Sequence, residues 1–561
     1  MVRKILNFIG QEVVGLHQAA YLLGSFAILS QVLGLIRDRL LAATFGAGEA
    51  LDIYYAAFRI PDFIFITVGS MVSVSVLIPF LMNKMKDGEE TGRRFIGNIF
   101  LFFFLLIVAI SAIAFFLMPG LNPLLFPGFD NQKVEQVTIL SRVLLLSPIF
   151  LGLSNILGTL TQTHKRFFLY ALSPILYNVS IIGGILLLYP DFGLVGLVYG
   201  VILGAFFHFA IQIPFIIEHG LLPNYKDLKF DFKEIKKVLL VSIPRTLTLG
   251  SDNISFIFLV SFASLMTTGS IAVFNFSYNL ETVPLAIIGI SYSLAVFPIL
   301  IKHFSDGNIG KFREETILSA KHIIFWSIPF ATLFIVLRAQ IVRTILGAGQ
   351  FSWYDTRLTA AALAIFAISI VFQNLTLLFV RAYYATGNTR KPFLAKFLNA
   401  LTTIVLGYVF MTIYSQEPMF RETLEWLLKV EGVPGAIILT LPLGWSIGEL
   451  LNTILLWGIF ERDFKSFSGP VIKTFWEVLA GSLVIGIVTY FGLNIFDKIF
   501  NLETSIGIFM QGFISGAIGI IAGIFILTLL RNKELEGVLV TLKNKMSKVK
   551  VIPPSPSGLS Q

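Results

Sequence analysis

Apolar residues run through this chain in long stretches, with polar residues gathered into short clusters between them. A helix needs about 20 predominantly apolar residues to cross the hydrocarbon of a bilayer. Fourteen stretches reach that length. The first six lie at 18–43, 53–82, 95–118, 138–162, 167–189 and 193–217. The other eight lie at 236–266, 270–301, 315–338, 358–386, 393–414, 434–460, 473–496 and 505–530. The pattern predicts an all-α polytopic membrane protein. The first stretch begins near Ala19 and runs straight on into the second, so it reads as a retained helix and not as a cleaved leader.

The clusters between the stretches orient the chain, because positive residues favour the cytoplasmic side. Counted on alternate loops beginning with the N-terminus, Lys plus Arg come to about 27 on one side and about 7 on the other. Both termini are therefore expected in the cytoplasm, with an even number of spans.

The order of the clusters repeats. The second stretch ends at Pro79 and is followed by Asp87 and Gly88; the eighth ends at Pro298 and is followed by Asp306 and Gly307, at the same spacing. The loop Thr163 to Phe167 between stretches four and five corresponds to Thr386 to Pro392 between ten and eleven. Spans two, four and five thus match eight, ten and eleven in the same orientation. The expected organisation is a six-helix bundle over 1–217, a cytoplasmic linker over 218–235 and a second bundle over 236–460. Two extra helices over 461–530 and a tail over 531–561 follow. Duplicated bundles around a midplane site are a common transporter plan. The tail alternates Lys with Leu, Val and Met, which fits a surface helix on anionic lipid as well as a solvated tail.

Charges inside the stretches are the candidates for chemistry. The segment Gln31 to Pro79 holds Arg37, Asp38, Arg39, Asp52, Arg59 and Asp62 around a small-residue turn, Phe45-Gly46-Ala47-Gly48. A charge near the bilayer centre costs roughly 2.5–3.5 kcal/mol or more. Such charges pair, sit at helix ends or face a water-filled interior. Arg37 with Asp38 fits either a helix-end ion pair or a cavity wall, and Asp52 either a cavity wall or a cap on the helix that follows the turn. Arg59, Arg142 and Arg245 lie deeper. Lys321 and Lys396 sit near predicted cytoplasmic ends, where snorkelling is expected. Glu281 is well inside its span, and Asp252 with Asn253 lies near the middle of the seventh.

Composition narrows the function classes. The chain is 56% hydrophobic and 13% charged, against about 25% charged in soluble domains. Its net charge of +9 is spread over eight cytoplasmic loops, which argues against nucleic acid as a partner. There is no Cys, which removes disulfides, thiolate metal sites and Cys nucleophiles. No phosphate loop, H-E-x-x-H or G-x-S-x-G motif occurs. His17, His164, His208, His219, His303 and His322 show no ligand spacing. The expectation is a transporter, not an enzyme, with no bound cofactor.

The run V-L-G-L-I-R-D-R-L-L-A-A-T-F-G-A-G-E-A-L-D-I-Y-Y-A-A-F-R-I-P resembles the N-terminal signature of the MurJ (MviN) family of the multidrug/oligosaccharidyl-lipid/polysaccharide exporter superfamily. Pro174-Ile175-Leu176-Tyr177-Asn178, Gly349-Gln350-Phe351 and Arg381 to Pro392 are similar to later signatures, and the resemblance covers about residues 18 to 530. It implies flipping of lipid II, an undecaprenyl-diphosphate-linked peptidoglycan precursor, across a bacterial cytoplasmic membrane. A diphosphate headgroup does not cross hydrocarbon unaided, and arginines pair phosphates by charge-assisted bonds. Carried over by position, the resemblance makes Arg37, Asp38, Asp52, Arg59 and Glu281 substrate-binding, with Arg245 as a further candidate. It implies coupling to Na⁺, H⁺ or the membrane potential, with Asp252 and Asn253 as candidate ligands. Cell-wall synthesis proteins are the partners it implies. Family basic positions are replaced by Gln31, Phe65, Ile66 and Asn279, and an acidic one by Ser70. The alternatives are an exporter of another lipid-linked oligosaccharide or amphiphile, and a non-transporting scaffold for cell-wall assembly.

Overall fold

The computed structural model describes residues 16–72, 74–221 and 231–548. Most of the linker, the Pro-rich end after Lys548 and the side chain of Arg245 lie outside what it describes. Among the described residues there is no strand. The elements are α1 (Leu16–Phe45), α2 (Glu49–Ala57), α3 (Arg59–Thr67), α4 (Val74–Lys86), α5 (Glu89–Leu125), α6 (Asn131–Leu144) and α7 (Leu146–Thr163). Next come α8 (Phe167–Gly183), α9 (Leu194–Ala210), α10 (Phe232–Ser264), α11 (Ser270–Pro284), α12 (Ser291–Ser305), α13 (Ile309–Val336) and α14 (Arg338–Ile345). After these come α15 (Trp353–Ala385), α16 (Arg390–Gln416), α17 (Pro418–Leu428), α18 (Thr440–Phe464), α19 (Ser468–Phe496), α20 (Ser505–Leu529) and α21 (Lys533–Lys548), and short helices at Tyr189–Phe192 and Ile213–Glu218 flank α9.

Twelve helices among the described residues are long and apolar enough to cross a membrane, two fewer than the stretches counted in the sequence. The first two stretches account for the difference. The first is the 30-residue α1, which carries Arg37, Asp38 and Arg39. The second is not one helix: it breaks into α2, α3, a 3₁₀ turn at Gly69–Val72 and α4.

The apolar surface is turned outward. Phe104, Leu105, Phe116, Leu483 and Phe513 are exposed, as lipid-facing side chains must be. Helix contacts depend instead on small residues, since lipid tails compete with large apolar ones. A Cβ on Gly200 of α9 would lie 2.6 Å from Gly184 Cα, and one on Gly444 of α18 would lie 2.9 Å from Gly407 Cα. In both places the backbones touch.

Helix neighbours repeat between the halves. In the first half α8 packs on α1 and α9, α7 packs on α9, and α5 packs on α4, α6 and α7. In the second half α16 packs on α10 and α18, α15 packs on α18, and α13 packs on α12 and α15. Under the register that aligns Pro79 with Pro298, the 3₁₀ turn at Gly69–Val72 falls beside a π-helical turn at Leu285–Ile290. Each half thus has an irregular turn in its second helical run. The last two long helices, α19 and α20, pack on each other and onto α13 and α14. The tail forms α21, held by Lys321 to Glu534 at 3.5 Å.

Candidate functional site

The halves meet along α3 with α10 and α2 with α11, and a cavity of about 210 Å³ lies at that junction. Arg37, Asp38, Arg59 and Asp62 line it, with Tyr54, Tyr55, Tyr177, Asn275 and Asn279. Tyr55, Arg59 and Asp62 share a helix face by their spacing of four and three. Nε of Arg59 donates to the Tyr55 carbonyl at 2.8 Å and Nη2 to Asn275 Oδ1 at 3.3 Å. Its guanidinium lies 4.9 Å from the ring centre of Phe256. Asn275 and Phe256 belong to the second half, so Arg59 bridges the two. Arg37 donates to Asp38 Oδ1 from Nη2 at 2.8 Å. The formal charges of the four ionisable groups that line the cavity as acid or guanidinium sum to zero.

At one end of the junction, helix termini join the halves. Asp52 is 4% exposed. Its carboxylate accepts from Gly269 N at 2.6 Å and Ala272 N at 2.9 Å, at the N-terminal turn of α11. These amides have no partner within their own helix, and the helix dipole favours an anion there. Arg39 Nη1 donates to the carbonyls of Thr344 at 2.6 Å and Ile345 at 3.1 Å, at the C-terminal turn of α14. Gln350 N donates to the Ala43 carbonyl at 2.8 Å, and Ala47 N to Asp355 Oδ2 at 3.4 Å. Gly349 has φ +54° and packs so closely on Ala43 that a Cβ would lie 2.2 Å from its carbonyl oxygen. Every one of these contacts joins the first half to the second. Toward the other end Ser242 Oγ donates to the Met71 carbonyl at 2.8 Å, and Lys84 pairs with Glu234.

Three expected site residues are brought together here: Arg37, Asp38 and Arg59. Others are placed elsewhere. Asp52 does not line the cavity and does not cap its own helix; it caps α11 across the junction. Glu281 is fully buried in the second half, where its Oε1 accepts from Gln373 Nε2 at 2.7 Å and Ser369 Oγ at 3.3 Å. It joins α11 to α15 and does not reach the cavity. Arg142 points away, donating to the Phe115 carbonyl at 3.0 Å and lying over the Phe115 ring. Lys396 does not snorkel. Its ammonium sits between Asp252 Oδ1 at 3.0 Å and Glu449 Oε1 at 3.2 Å, and Asn399 Nδ2 donates to the same Glu449 oxygen at 2.8 Å. A half-buried carboxylate on α10 and a buried one on α18 offered the ammonium nearer partners than the interface. Asp252 is therefore ion-paired within the protein. Its neighbour Asn253 is half-buried and is not among the groups bonded to Lys396. Tyr54, Tyr55 and Tyr177 were not among the expected site residues, and Asp62 was named only as one of the charges of its segment; the stripe Tyr55, Arg59, Asp62 was the signal in the sequence that marks Tyr55 and Asp62.

The family model described as lipid II flippase MurJ matches residues 41–510. The chain belongs to the MurJ lipid II flippase family. It is 23% identical over 497 residues to "Lipid II flippase MurJ" of Burkholderia cenocepacia, covering 86% of this chain and 91% of that one. It is 28% identical over 483 residues to "Probable lipid II flippase MurJ" of Haemophilus influenzae, covering 83% and 90%. A solved MurJ structure in an inward closed conformation superimposes with a TM-score of 0.71 over 92% of this chain and all of that one, at 23% identity. An inward-facing multidrug transporter of the MATE family superimposes with a TM-score of 0.64 over 78% of this chain and 95% of its own, at 15% identity. The last two likenesses establish the membrane-transporter fold.

Proposed function

We propose that this MurJ-family chain flips lipid II from the inner to the outer leaflet of a bacterial cytoplasmic membrane by alternating access. The observation that carries the reading is the cavity at the junction of the halves, which Arg37 and Arg59 line. A diphosphate in that cavity meets guanidinium groups in a water-poor setting, where charge-assisted bonds are strong. The undecaprenyl tail stays in lipid. Opening the Gly46 end requires α11 to part from Asp52 and α14 from Arg39, and the halves, 1–217 and 236–460, then move as bundles. Both termini lie in the cytoplasm in this reading, and the Gly46 end faces outward. Cell-wall synthesis proteins are the partners in this setting.

The Lys396 cluster is the candidate for coupling. Two carboxylates around one ammonium leave a formal charge of −1, and Glu449 Oε2 is buried without a hydrogen-bond partner. That orphan carboxylate oxygen is a place for a proton. Asp252 and Glu449 are then the groups that hold it.

The test is replacement of a host's own flippase. The host flippase is depleted, this chain is expressed, and surface lipid II is followed with a membrane-impermeant probe. Exposure and survival with the wild type, and loss of both in Arg37→Ala despite normal membrane insertion, is the expected result. No exposure from well-inserted wild type would overturn lipid II as the cargo. A second reading, a different lipid-linked oligosaccharide, is favoured by the zero formal charge of the cavity, and undecaprenyl-linked glycans lacking the peptide are its probe.

A further inference from the structure

Asp38 carries the same sign as a phosphate and lies in the cavity beside Arg37. The two are neighbours in sequence, and consecutive residues of a helix do not face each other. Here they meet all the same. Arg37 turns two donors onto one oxygen, Nε at 3.0 Å and Nη2 at 2.8 Å from Asp38 Oδ1. That edge of the guanidinium is a fork that receives a carboxylate or a phosphate. Its remaining nitrogen, Nη1, is 3.4 Å from Asn178 Oδ1. The second oxygen of Asp38, Oδ2, accepts from Asn279 Nδ2 at 3.1 Å. Asn279 lies on α11, so Asp38 is held from both halves.

We propose that Asp38 is an internal stand-in for the substrate's phosphate. This rests on the reading of the cavity as a diphosphate-lipid site. In the empty cavity Asp38 occupies the fork of Arg37. An arriving diphosphate takes the fork, and Asp38 keeps Asn279. Three properties follow. Arg37 never stands unpaired inside the membrane, where a lone charge is expensive, so the empty carrier can return. Release is assisted, because Asp38 competes for the fork at every moment. Selection is sharpened, because a neutral headgroup cannot displace a carboxylate and a multiply charged diphosphate can.

The opposite role, a carboxylate that merely positions Arg37, predicts an effect of opposite sign, so binding decides between them. The full chain in lipid nanodiscs is titrated with undecaprenyl diphosphate and, as a control, undecaprenol. The wild type is compared with Asp38→Asn and Asp38→Glu, and turnover on lipid II is measured for each. The expected result is that Asp38→Asn binds undecaprenyl diphosphate about tenfold more tightly, as if one charge-assisted bond no longer had to be exchanged. Undecaprenol binding stays the same. Both the half-saturating concentration and the maximal rate on lipid II fall, and Asp38→Glu, which keeps the competitor, behaves as the wild type. Equal or weaker diphosphate binding by Asp38→Asn overturns the stand-in. If it binds more tightly while the wild type moves no lipid II, the stand-in holds and lipid II falls as the cargo. If the wild type flips lipid II and Asp38→Asn binds no more tightly, the stand-in alone falls.

Discussion

Replacing Asp52 with Ala tests how the Gly46 end is held shut. The side chain accepts two backbone hydrogen bonds from the first turn of α11, at 2.6 and 2.9 Å. Hydrogen bonds to a charged group contribute about 1.5–3 kcal/mol each to a folded arrangement. Part of that is regained when the end opens, because water then reaches both the carboxylate and the amides. A net loss of about 2–3 kcal/mol from the closed state is expected, or about 30- to 150-fold in the ratio of closed to open. The native chain has no Cys, so spin labels can be placed without removing any. Cysteines at Glu135 on α6 and Met419 on α17, both exposed, put one label on each half. Pulsed electron resonance should give one short distance for the wild type and an added longer population for Asp52→Ala, with Asp52→Asn between them. An unchanged distribution in Asp52→Ala would mean that these two bonds do not hold the end closed.

Lys396→Ala leaves Asp252 and Glu449 without their shared cation. Only the pair with Glu449 is buried; breaking a buried pair from one side typically costs about 3–5 kcal/mol, so a clearly lower Tm in detergent is expected. Adding Glu449→Gln to it should recover part of the loss, and no recovery would mean that the ammonium does not serve to neutralise that carboxylate. Gly200→Val puts a branched side chain where Gly184 Cα lies 2.6 Å away. The contact of α8 with α9 must part, and thermal unfolding should shift down with it, whereas an unshifted Tm would show that the helices have room to move.

The spans were legible because length and hydropathy are local properties. Even there the second stretch was misread as one helix. Pro61 and Gly69 stand inside it, and the chain breaks into three helical pieces with a 3₁₀ turn. The depth of each charge was also legible, but its partner was not. Asp52 finds its amides 217 and 220 positions along the chain, and Arg39 finds its carbonyls 305 and 306 positions along. Lys396 was assigned to the interface from its nearness to a helix end, and it reaches Asp252, 144 positions away. No local pattern carries such pairings. Only the stripe Tyr55, Arg59 and Asp62, confined to two turns of one helical run, lay open to a local reading.

The kind of partner each charge has says which contacts break during transport. Asp52 and Arg39 are bound by helix termini, which carry only about half a unit of charge. Such bonds can be exchanged for water within one turnover. Lys396 is held by two full carboxylates, and parting it from Glu449, which is 2% exposed, would leave a bare charge in a dry interior; Asp252, on the other side of the ammonium, is half-buried. Arg37 stands between these cases, bound to a full carboxylate yet 24% exposed to the cavity, so an incoming anion can replace its partner while Arg37 stays paired and Asp38 keeps its bond from Asn279. The hierarchy therefore assigns opening to the Gly46 end and partner exchange to Arg37. The Lys396 cluster keeps its ammonium beside at least one carboxylate while a proton comes and goes on the other.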